Sequence, residues 1–205
     1  MLWLDHVVRI VSDFASTEAW LHEHYGLVAT RWEVFADSGV ASRLFVLGGT
    51  GIELMGIQEH AKAAHHPFGQ AVLKALAGGE RWLGTAIGTD ELDVHAARLG
   101  LSPTPISSVS SEGVLSEFRL LGNPLSNPPS LPFLIEWSEG TDPWPQAEAA
   151  RNPDFSGVAS VALSGDTKAL SHHLGEDCDF LVVSEGAPRI SAVTVSAGAG
   201  DVRIE

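Results

Sequence analysis

A repeated order of secondary structure constrains the fold of this chain more than any single motif does. Residues 1–58, here called module 1, predict a strand, a helix and three strands, and residues 81–138, called module 2, predict the same order. The letters repeat as well: SRLFVLGG at 42–49 aligns without a gap with SEFRLLGN at 116–123, and GIELMG at 51–56 resembles FLIEWS at 133–138. An internal repeat of this size predicts two copies of one structural unit that bury their apolar faces together.

Capping residues place the helix at the same point in both modules. Asp13 precedes a helical pattern at 14–25, and Asp90 precedes one at 91–99. Aspartate is a common residue just before a helix, because its side chain accepts hydrogen bonds from the first free backbone amides. A glycine, the usual residue past a helix C-terminus, follows each pattern.

The remaining chain predicts a linker and a further, shorter unit. Residues 141–153 contain prolines and few apolar residues, which is typical of a linker. Residues 154–205 predict a strand, a helix at 167–174 and more strands, a partial third module of βαβ type. The chain is therefore predicted to be an α+β protein with paired modules over 1–140.

The net charge and the cysteine content exclude several classes of function. The chain of 205 residues has 26 acidic and 12 basic residues, which gives a net charge of −14. Such a surface repels nucleic-acid backbones and anionic membranes, so we expect neither as a partner. The single cysteine, Cys178, excludes an intrachain disulfide. Because the chain has one cysteine and its first residues lack the basic region of a signal peptide, we expect a cytoplasmic protein.

Two apolar segments each carry one titratable residue. His6 lies in LDHVVRIVSD at 4–13, and Glu53 lies in GIELMG at 51–56. A carboxylate that is buried, ionised and unpaired costs several kcal/mol, so Glu53 must pair, protonate, bind a metal or face water. For His6, a hydrogen-bonded strand residue and a metal ligand are both compatible with the sequence.

The repeat, with a histidine in its first strand and a glutamate in its last, resembles the vicinal oxygen chelate superfamily, and most closely its glyoxalase-like domains. The residues that carry the resemblance are Leu4-Asp5-His6-Val7-Val8, Trp20-Leu21, Gly26-Leu27, the segment from Arg43 to Gly48, Ile52-Glu53-Leu54, Trp82, and the segment from Pro132 to Trp137. The resemblance covers about residues 2–140. It implies paired βαβββ modules whose curled mixed sheet forms an open cleft, with a degenerate module after them. The superfamily includes lyases, isomerases, dioxygenases and metal-free binding proteins, so the resemblance does not select one reaction.

The resemblance also implies a set of metal ligands. Carried over by position, the ligand positions on the first and last strands are His6 and Glu53 in module 1, and Leu83 and Glu136 in module 2. Leu83 cannot bind a metal, so three of the four positions have ligand-type residues. His6, Glu53 and Glu136 would hold Zn, Ni, Mn or Fe, and Glu53 or Glu136 would also move a proton during catalysis. One of His60, His65 and His66, between the modules, could replace the missing ligand or belong to a solvated loop.

Four further side chains are candidate ligand-binding residues. Arg43 and Arg119 lie in the third strands of their modules and could bind a carboxylate or a phosphate, or form ion pairs on the outer face. Trp82 and Trp137 could form flat walls for a ring-containing ligand, or pack in the core.

Two functional hypotheses follow from the resemblance. The first is a metal-dependent lyase, isomerase or dioxygenase that acts on a small oxygen-chelating molecule. The second is a metal-free protein that binds or sequesters a small molecule in the same cleft. The incomplete third module leaves sheet edges uncovered, so we also expect a homodimer.

Overall fold

The computed structural model describes residues 1–175 and 178–205. Each module consists of a strand, a helix and three further strands, as predicted. The elements of module 1 are β1 (Leu2–Ile10), α1 (Phe14–Tyr25), β2 (Arg31–Phe35), β3 (Val40–Leu47) and β4 (Thr50–Ile57). Two short helices, α2 (His60–Ala63) and α3 (Pro67–Leu76), connect the modules. The elements of module 2 are β5 (Arg81–Thr89), α4 (Leu92–Leu99), β6 (Thr104–Ser110), β7 (Leu115–Leu121) and β8 (Phe133–Trp137).

Local capping explains why the first helix begins and ends where it does. The side chain of Asp13 accepts a hydrogen bond from the backbone amide of Ser16, 3.1 Å away. Gly26, with φ of +75°, ends the helix in the left-handed conformation that glycine adopts most easily. The predicted helix at 14–25 is therefore confirmed to the residue.

The eight strands of the two modules close into a barrel in the order β1-β4-β3-β2-β6-β7-β8-β5. Within each module the first and last strands are parallel, and β1 pairs with β5 in antiparallel fashion between the modules. On the opposite side the barrel closes through β2 and β6, where only Glu33–Ser110 and Val34–Val109 pair. The predicted glyoxalase-type fold is confirmed. The two residue pairs between β2 and β6 close the sheet on the side where the sequence predicts an open cleft.

The last part of the chain forms a second sheet beside the barrel. Its elements are α5 (Gln146–Ala149), β9 (Phe155–Gly165), α6 (Thr167–Leu174), β10 (Leu181–Glu185), β11 (Arg189–Ala197) and β12 (Val202–Ile204). The strand order is β10-β9-β11-β12, with β9 and β10 parallel. In modules 1 and 2 the first strand is instead parallel to the fourth, so this unit has the same order of elements with a different pairing.

Two apolar clusters occupy the two faces of the barrel sheet. The outer cluster joins the barrel to the second sheet, for example through Val7 and Ile52 of the barrel and Val161 and Val193 of the second sheet, each 0% exposed. The inner cluster includes Val8 and Phe133 and lies inside the barrel. In the described ranges, no helix is long and apolar enough to cross a membrane.

The segment at 141–153, predicted as a linker, is attached to module 1 through Asn152. This side chain is 2% exposed, and its Nδ2 donates hydrogen bonds to the carbonyls of Val28 (2.8 Å) and Val46 (3.1 Å). Its Oδ1 accepts one from the amide of Val28, also at 2.8 Å. One amide side chain thus satisfies three backbone groups, and it holds the segment against the barrel.

We predict that Asn152→Ala lowers the free energy of unfolding by about 3 kcal/mol, because three buried backbone groups lose their partner. Urea denaturation measures this change. The matched control is Gln146→Ala, which removes an exposed amide from the same segment and should change stability by less than about 0.5 kcal/mol. Equal effects of the two substitutions would contradict the role assigned to Asn152.

Candidate active site

The strand register brings His6 and Glu53 together inside the barrel. β1 and β4 are parallel neighbours in which His6 pairs with Gly51 and Val8 pairs with Glu53. Because side chains alternate between the two faces of a sheet, His6, Val8 and Glu53 share the inner face. Nε2 of His6 lies 3.2 Å from Oε2 of Glu53. Both residues are buried, with 6% and 8% of their surface exposed.

A β-bulge adds a second carboxylate to the histidine. In the pairing of β1 with β5, Leu4 is opposite Ile87 and His6 is opposite Ala86, so Asp5 is an extra residue without a partner. A bulge of this kind redirects a side chain that would otherwise point to the other face. Asp5 is fully buried, and its Oδ1 lies 2.6 Å from Nδ1 of His6.

These residues form one continuous hydrogen-bonded chain. The hydroxyl of Ser42 donates to Oε1 of Glu53, and Nε1 of Trp137 donates to Oδ2 of Asp5 at 2.9 Å. Burial lowers the pKa of His6, but its hydrogen bonds to Asp5 and Glu53 and the charges of both outweigh burial and raise the pKa to about 9. His6 is therefore an imidazolium at neutral pH, with a carboxylate at each ring nitrogen.

Aromatic rings surround the imidazolium. The ring of Phe133 meets it edge-on at 5.9 Å between centroids, and Trp144 lies 5.7 Å away. Trp144 comes from the segment at 141–153 and packs against Gly51, the strand partner of His6. A Cβ at Gly51 would lie 2.4 Å from the indole ring, so only glycine allows Trp144 this close to His6.

His6 and Glu53 line a cavity of about 340 Å³ inside the barrel. Most of its lining is apolar, including Val8, Met55 and Phe133, and its exposed lining residues, such as Ala36 and Thr104, mark the opening to solvent. The complete lining is His6, Val8, Glu33, Phe35, Ala36, Ser38, Leu44, Glu53, Met55, His66, Phe68, Thr104, Pro105, Ile106, Ser107, Phe118, Leu120, Gly122, Asn123, Pro124, Phe133 and Ile135. A cavity of this size and character fits a small organic molecule.

A second buried carboxylate, Glu33, faces the same cavity from β2. It is 6% exposed, and its Oε2 accepts a hydrogen bond from Oγ of Ser108 at 2.7 Å. Its Oε1 lies 3.0 Å from Nε of Arg31. Burial raises the pKa of Glu33, and the charge of Glu53 raises it further, although Ser108 and Arg31 act in the opposite direction.

Glu136, predicted as a catalytic and metal-binding residue, lies on the outer face of the barrel. Its Oε1 accepts a hydrogen bond from the amide of Leu92, 3.3 Å away, at the start of α4. Its Oε2 accepts hydrogen bonds from Arg119, including one from Nε at 2.9 Å. Glu136 thus caps a helix that has no side-chain cap of its own, and it does not join His6 and Glu53.

The pairing register explains the position of Glu136. In module 1, Val8, two residues after His6, pairs with Glu53. In module 2, Gly88, two residues after Ala86, pairs with Ile135. The positions that correspond to His6 and Glu53 are therefore Ala86 and Ile135. A shift of one residue along a strand moves a side chain to the opposite face.

The fourth predicted ligand position, Leu83, and the predicted binding residues are also placed by the structure. Leu83 is buried in the inner apolar cluster. Arg43 and Arg119 lie on the outer face, where Arg43 pairs with Glu18 of α1 at 2.9 Å and Arg119 pairs with Asp93 of α4 at 3.0 Å. The structure thus places both arginines away from the cavity.

The two tryptophans differ from each other. Trp82 lies in the outer cluster, where the guanidinium of Arg9 is 5.3 Å from its ring. Trp137 contacts Phe118 at 4.8 Å between ring centroids and reaches the His6 network through Asp5. Of these two tryptophans, Trp137 is the one connected to the site, and it is connected through a hydrogen bond rather than as a wall of the cavity.

Of the three histidines between the modules, His66 lines the cavity. Its Nδ1 accepts a hydrogen bond from the amide of Phe68 at 3.2 Å and caps α3. The ring of Phe68 packs on Phe35 at 5.3 Å, so this segment forms part of the cavity wall. His60 and His65 are exposed.

A four-ligand metal site of the kind that the resemblance implies does not fit these side chains. Asp5 and Glu53 bind opposite nitrogens of His6, so the two carboxylates do not converge on one point. Ala86 and Ile135 have no donor atoms in their side chains. Across residues 1–175 and 178–205, no three His, Cys, Asp or Glu side chains form a group that could hold a metal ion.

Asp5, Glu33 and Ser42 take part in the site and are not predicted from the sequence. The signal for Asp5 is its position next to His6 in a strand that is otherwise apolar. Glu33 lies two residues after Arg31 and two before Phe35 along β2, so its side chain is on the same face as theirs. That this face lines the cavity depends on the closure of the barrel.

Comparison with protein families gives one match that covers most of the chain. Residues 4–176 match the family model described as "Glyoxalase-like domain". A search of curated proteins finds no match.

The solved structures that match this chain include a hypothetical protein and two epimerases. A hypothetical protein from Staphylococcus aureus is 11% identical, with a TM-score of 0.69 over 100% of this chain and 99% of that one. Methylmalonyl-CoA epimerase from Streptomyces coelicolor, as a variant in complex with 2-nitronate-propionyl-CoA, is 21% identical, with a TM-score of 0.49 over 68% of this chain and 96% of that one. The epimerase from Mycobacterium tuberculosis is 17% identical, with a TM-score of 0.46 over 65% and 85%. The likeness to the Staphylococcus aureus protein, at 11% identity, shows the fold alone.

We predict that the imidazole of His6 titrates with a pKa near 9 in NMR spectra of histidine-labelled protein, and that Asp5→Asn lowers this pKa. Since the folded pKa lies above the unfolded value of about 6.5, His6 stabilises the fold fully below that pH. This contribution, about 3 kcal/mol, is lost as the pH rises from about 6.5 to 9. A His6 resonance that titrates at or below about 6.5 would contradict the charged network.

Proposed function

Because the chain belongs to the glyoxalase-like domain family, and because its barrel encloses a largely apolar cavity, we propose that it binds a small organic molecule there without a metal ion. The single observation that carries this proposal is the cavity itself, whose buried polar lining includes His6 and Glu53. Module 1 has His6 and Glu53 at the positions where module 2 has the apolar residues Ala86 and Ile135.

The polar groups give the cavity a defined way to orient its ligand. The proton at Nε2 of His6 faces Glu53, which holds that carboxylate in place, and Glu53 can accept a further hydrogen bond from a ligand hydroxyl or amine. Phe133 and Ile135 add apolar surface to the cavity lining, and the ring of Phe133 contacts His6. A ligand with one polar end and an apolar body satisfies both halves of the cavity.

Metal-assisted lyase, isomerase or dioxygenase chemistry is the other function that the family resemblance implies. What favours it is that His6 and Glu53 occupy the two ligand positions of module 1. What opposes it is that Nδ1 and Nε2 of His6 each face a carboxylate already, and that module 2 adds no donor. We therefore propose ligand binding first and test the metal separately.

We predict that the neutral dye N-phenyl-1-naphthylamine binds in the cavity and that its fluorescence rises there, because the surroundings are apolar. Ile106→Trp, which places a larger side chain on the cavity wall, should weaken dye binding by about tenfold or more, since the added ring occupies ligand volume. The matched control is Val94→Trp on α4, where the native side chain is 64% exposed and outside the cavity. Absence of dye binding to the wild-type protein, or equal binding to both variants, would overturn the proposed function.

The metal-free part of the proposal predicts that the purified protein, dialysed against metal-free buffer, retains much less than one metal ion per chain by elemental analysis. Dye binding should be the same in the presence of EDTA and of added Zn²⁺, Ni²⁺, Mn²⁺ or Fe²⁺, because the carboxylates at His6 do not converge. One retained metal ion per chain that is lost in Glu53→Gln would show instead that His6 and Glu53 are metal ligands.

A further inference from the structure

The charges that face the cavity are not balanced within the protein. Two buried carboxylates, Glu53 and Glu33, line the cavity from different strands. Each one is paired with a single cation, and that cation is shared with a second carboxylate. This arrangement occurs twice in the described structure, in two separate groups of side chains.

The first group is centred on His6. Its ring lies 2.6 Å from Asp5 and 3.2 Å from Glu53, so one positive charge faces two negative charges. The other partners of these carboxylates, Ser42 and Trp137, are neutral donors. The group therefore has a net charge of −1 when all three side chains are ionised.

The second group is centred on Arg31. Its guanidinium lies 3.0 Å from Glu33 and 3.1 Å from Glu148, and it also donates to the carbonyl of Pro143. The remaining partner of Glu33, Ser108, is neutral. This group also has a net charge of −1 when all three side chains are ionised, and Glu33 is its member that faces the cavity.

Among the described residues, no side chain with a fixed positive charge lines the cavity. Of the lining residues in the described structure, none is a lysine or an arginine. Apart from His6, Glu33, Glu53 and His66, these residues have apolar or neutral polar side chains. A carboxylate or phosphate ligand would add a third negative charge to a poorly solvated space. A ligand with a positive charge would offset the excess instead.

We infer that the ligand of this cavity carries a protonated amine or a similar cationic nitrogen, which Glu33 and Glu53 recognise; this inference rests on the proposed function. The aromatic lining, which includes Phe35, Phe118 and Phe133, adds favourable contacts for such a group, because ring faces attract cations. The cavity of about 340 Å³ is far larger than a bare ion needs, so the cation belongs to an organic molecule with an apolar body.

The test compares three probes of similar size by isothermal titration calorimetry at pH 7: phenethylamine, phenethyl alcohol and phenylacetate. The affinity for the amine should be at least about tenfold higher than that for the alcohol, and phenylacetate should bind most weakly of the three. Glu33→Gln and Glu53→Gln should each remove most of the preference for the amine, measured in each variant as the ratio of the amine affinity to the alcohol affinity.

The matched control is Glu117→Gln on β7, which removes the same charge from an exposed side chain outside the cavity and should leave all three affinities unchanged. Two glutamine variants are used so that the test survives if one of them does not fold. If the alcohol binds as tightly as the amine, or if none of the probes binds, the inference is wrong. The proposed function fails on a different result, namely the absence of dye binding or of an effect of Ile106→Trp.

Discussion

The contact between His6 and Glu53 determines what the interior of this barrel can do. It joins β1 to β4 in a largely apolar interior, where an isolated charge would cost several kcal/mol. Asp5 makes the contact stable as an ion pair, because a second carboxylate on the imidazole holds the proton there. A charged histidine between two carboxylates is a poor start for a metal site, and it is a good anchor for a polar ligand group.

The duplication of the modules and their divergence together define the cavity. The two modules contribute equivalent strands, yet module 1 supplies His6 and Glu53 where module 2 supplies Ala86 and Ile135. The charged residues of the cavity, Glu33 and Glu53 with His6, therefore belong to module 1. Glu136 and Arg119, predicted from the sequence as site residues of module 2, lie on the outer face and bind α4 to the sheet.

Local signals in the sequence predict much of this fold and only part of the site. The helices at 14–25 and 167–174 are predictable because their aspartate and glycine caps act within a few residues. The approach of His6 to Glu53 is predictable from the repeat, because it depends on the topology of one module. The burial of Asp5 depends on a bulge, and the face of Glu136 depends on a register that can shift by one residue. Glu33 faces the cavity only because β2 and β6 close the barrel, a contact between residues far apart in the chain.

A crystal structure of the protein soaked with phenethylamine would show most directly whether Glu33 and Glu53 bind a ligand in the cavity without a metal. We expect density for the amine inside the barrel, with its nitrogen about 3 Å from a carboxylate oxygen of Glu33 or Glu53 and its ring against Phe133. A metal ion bound to His6 and Glu53, or an amine bound only outside the barrel, would contradict it.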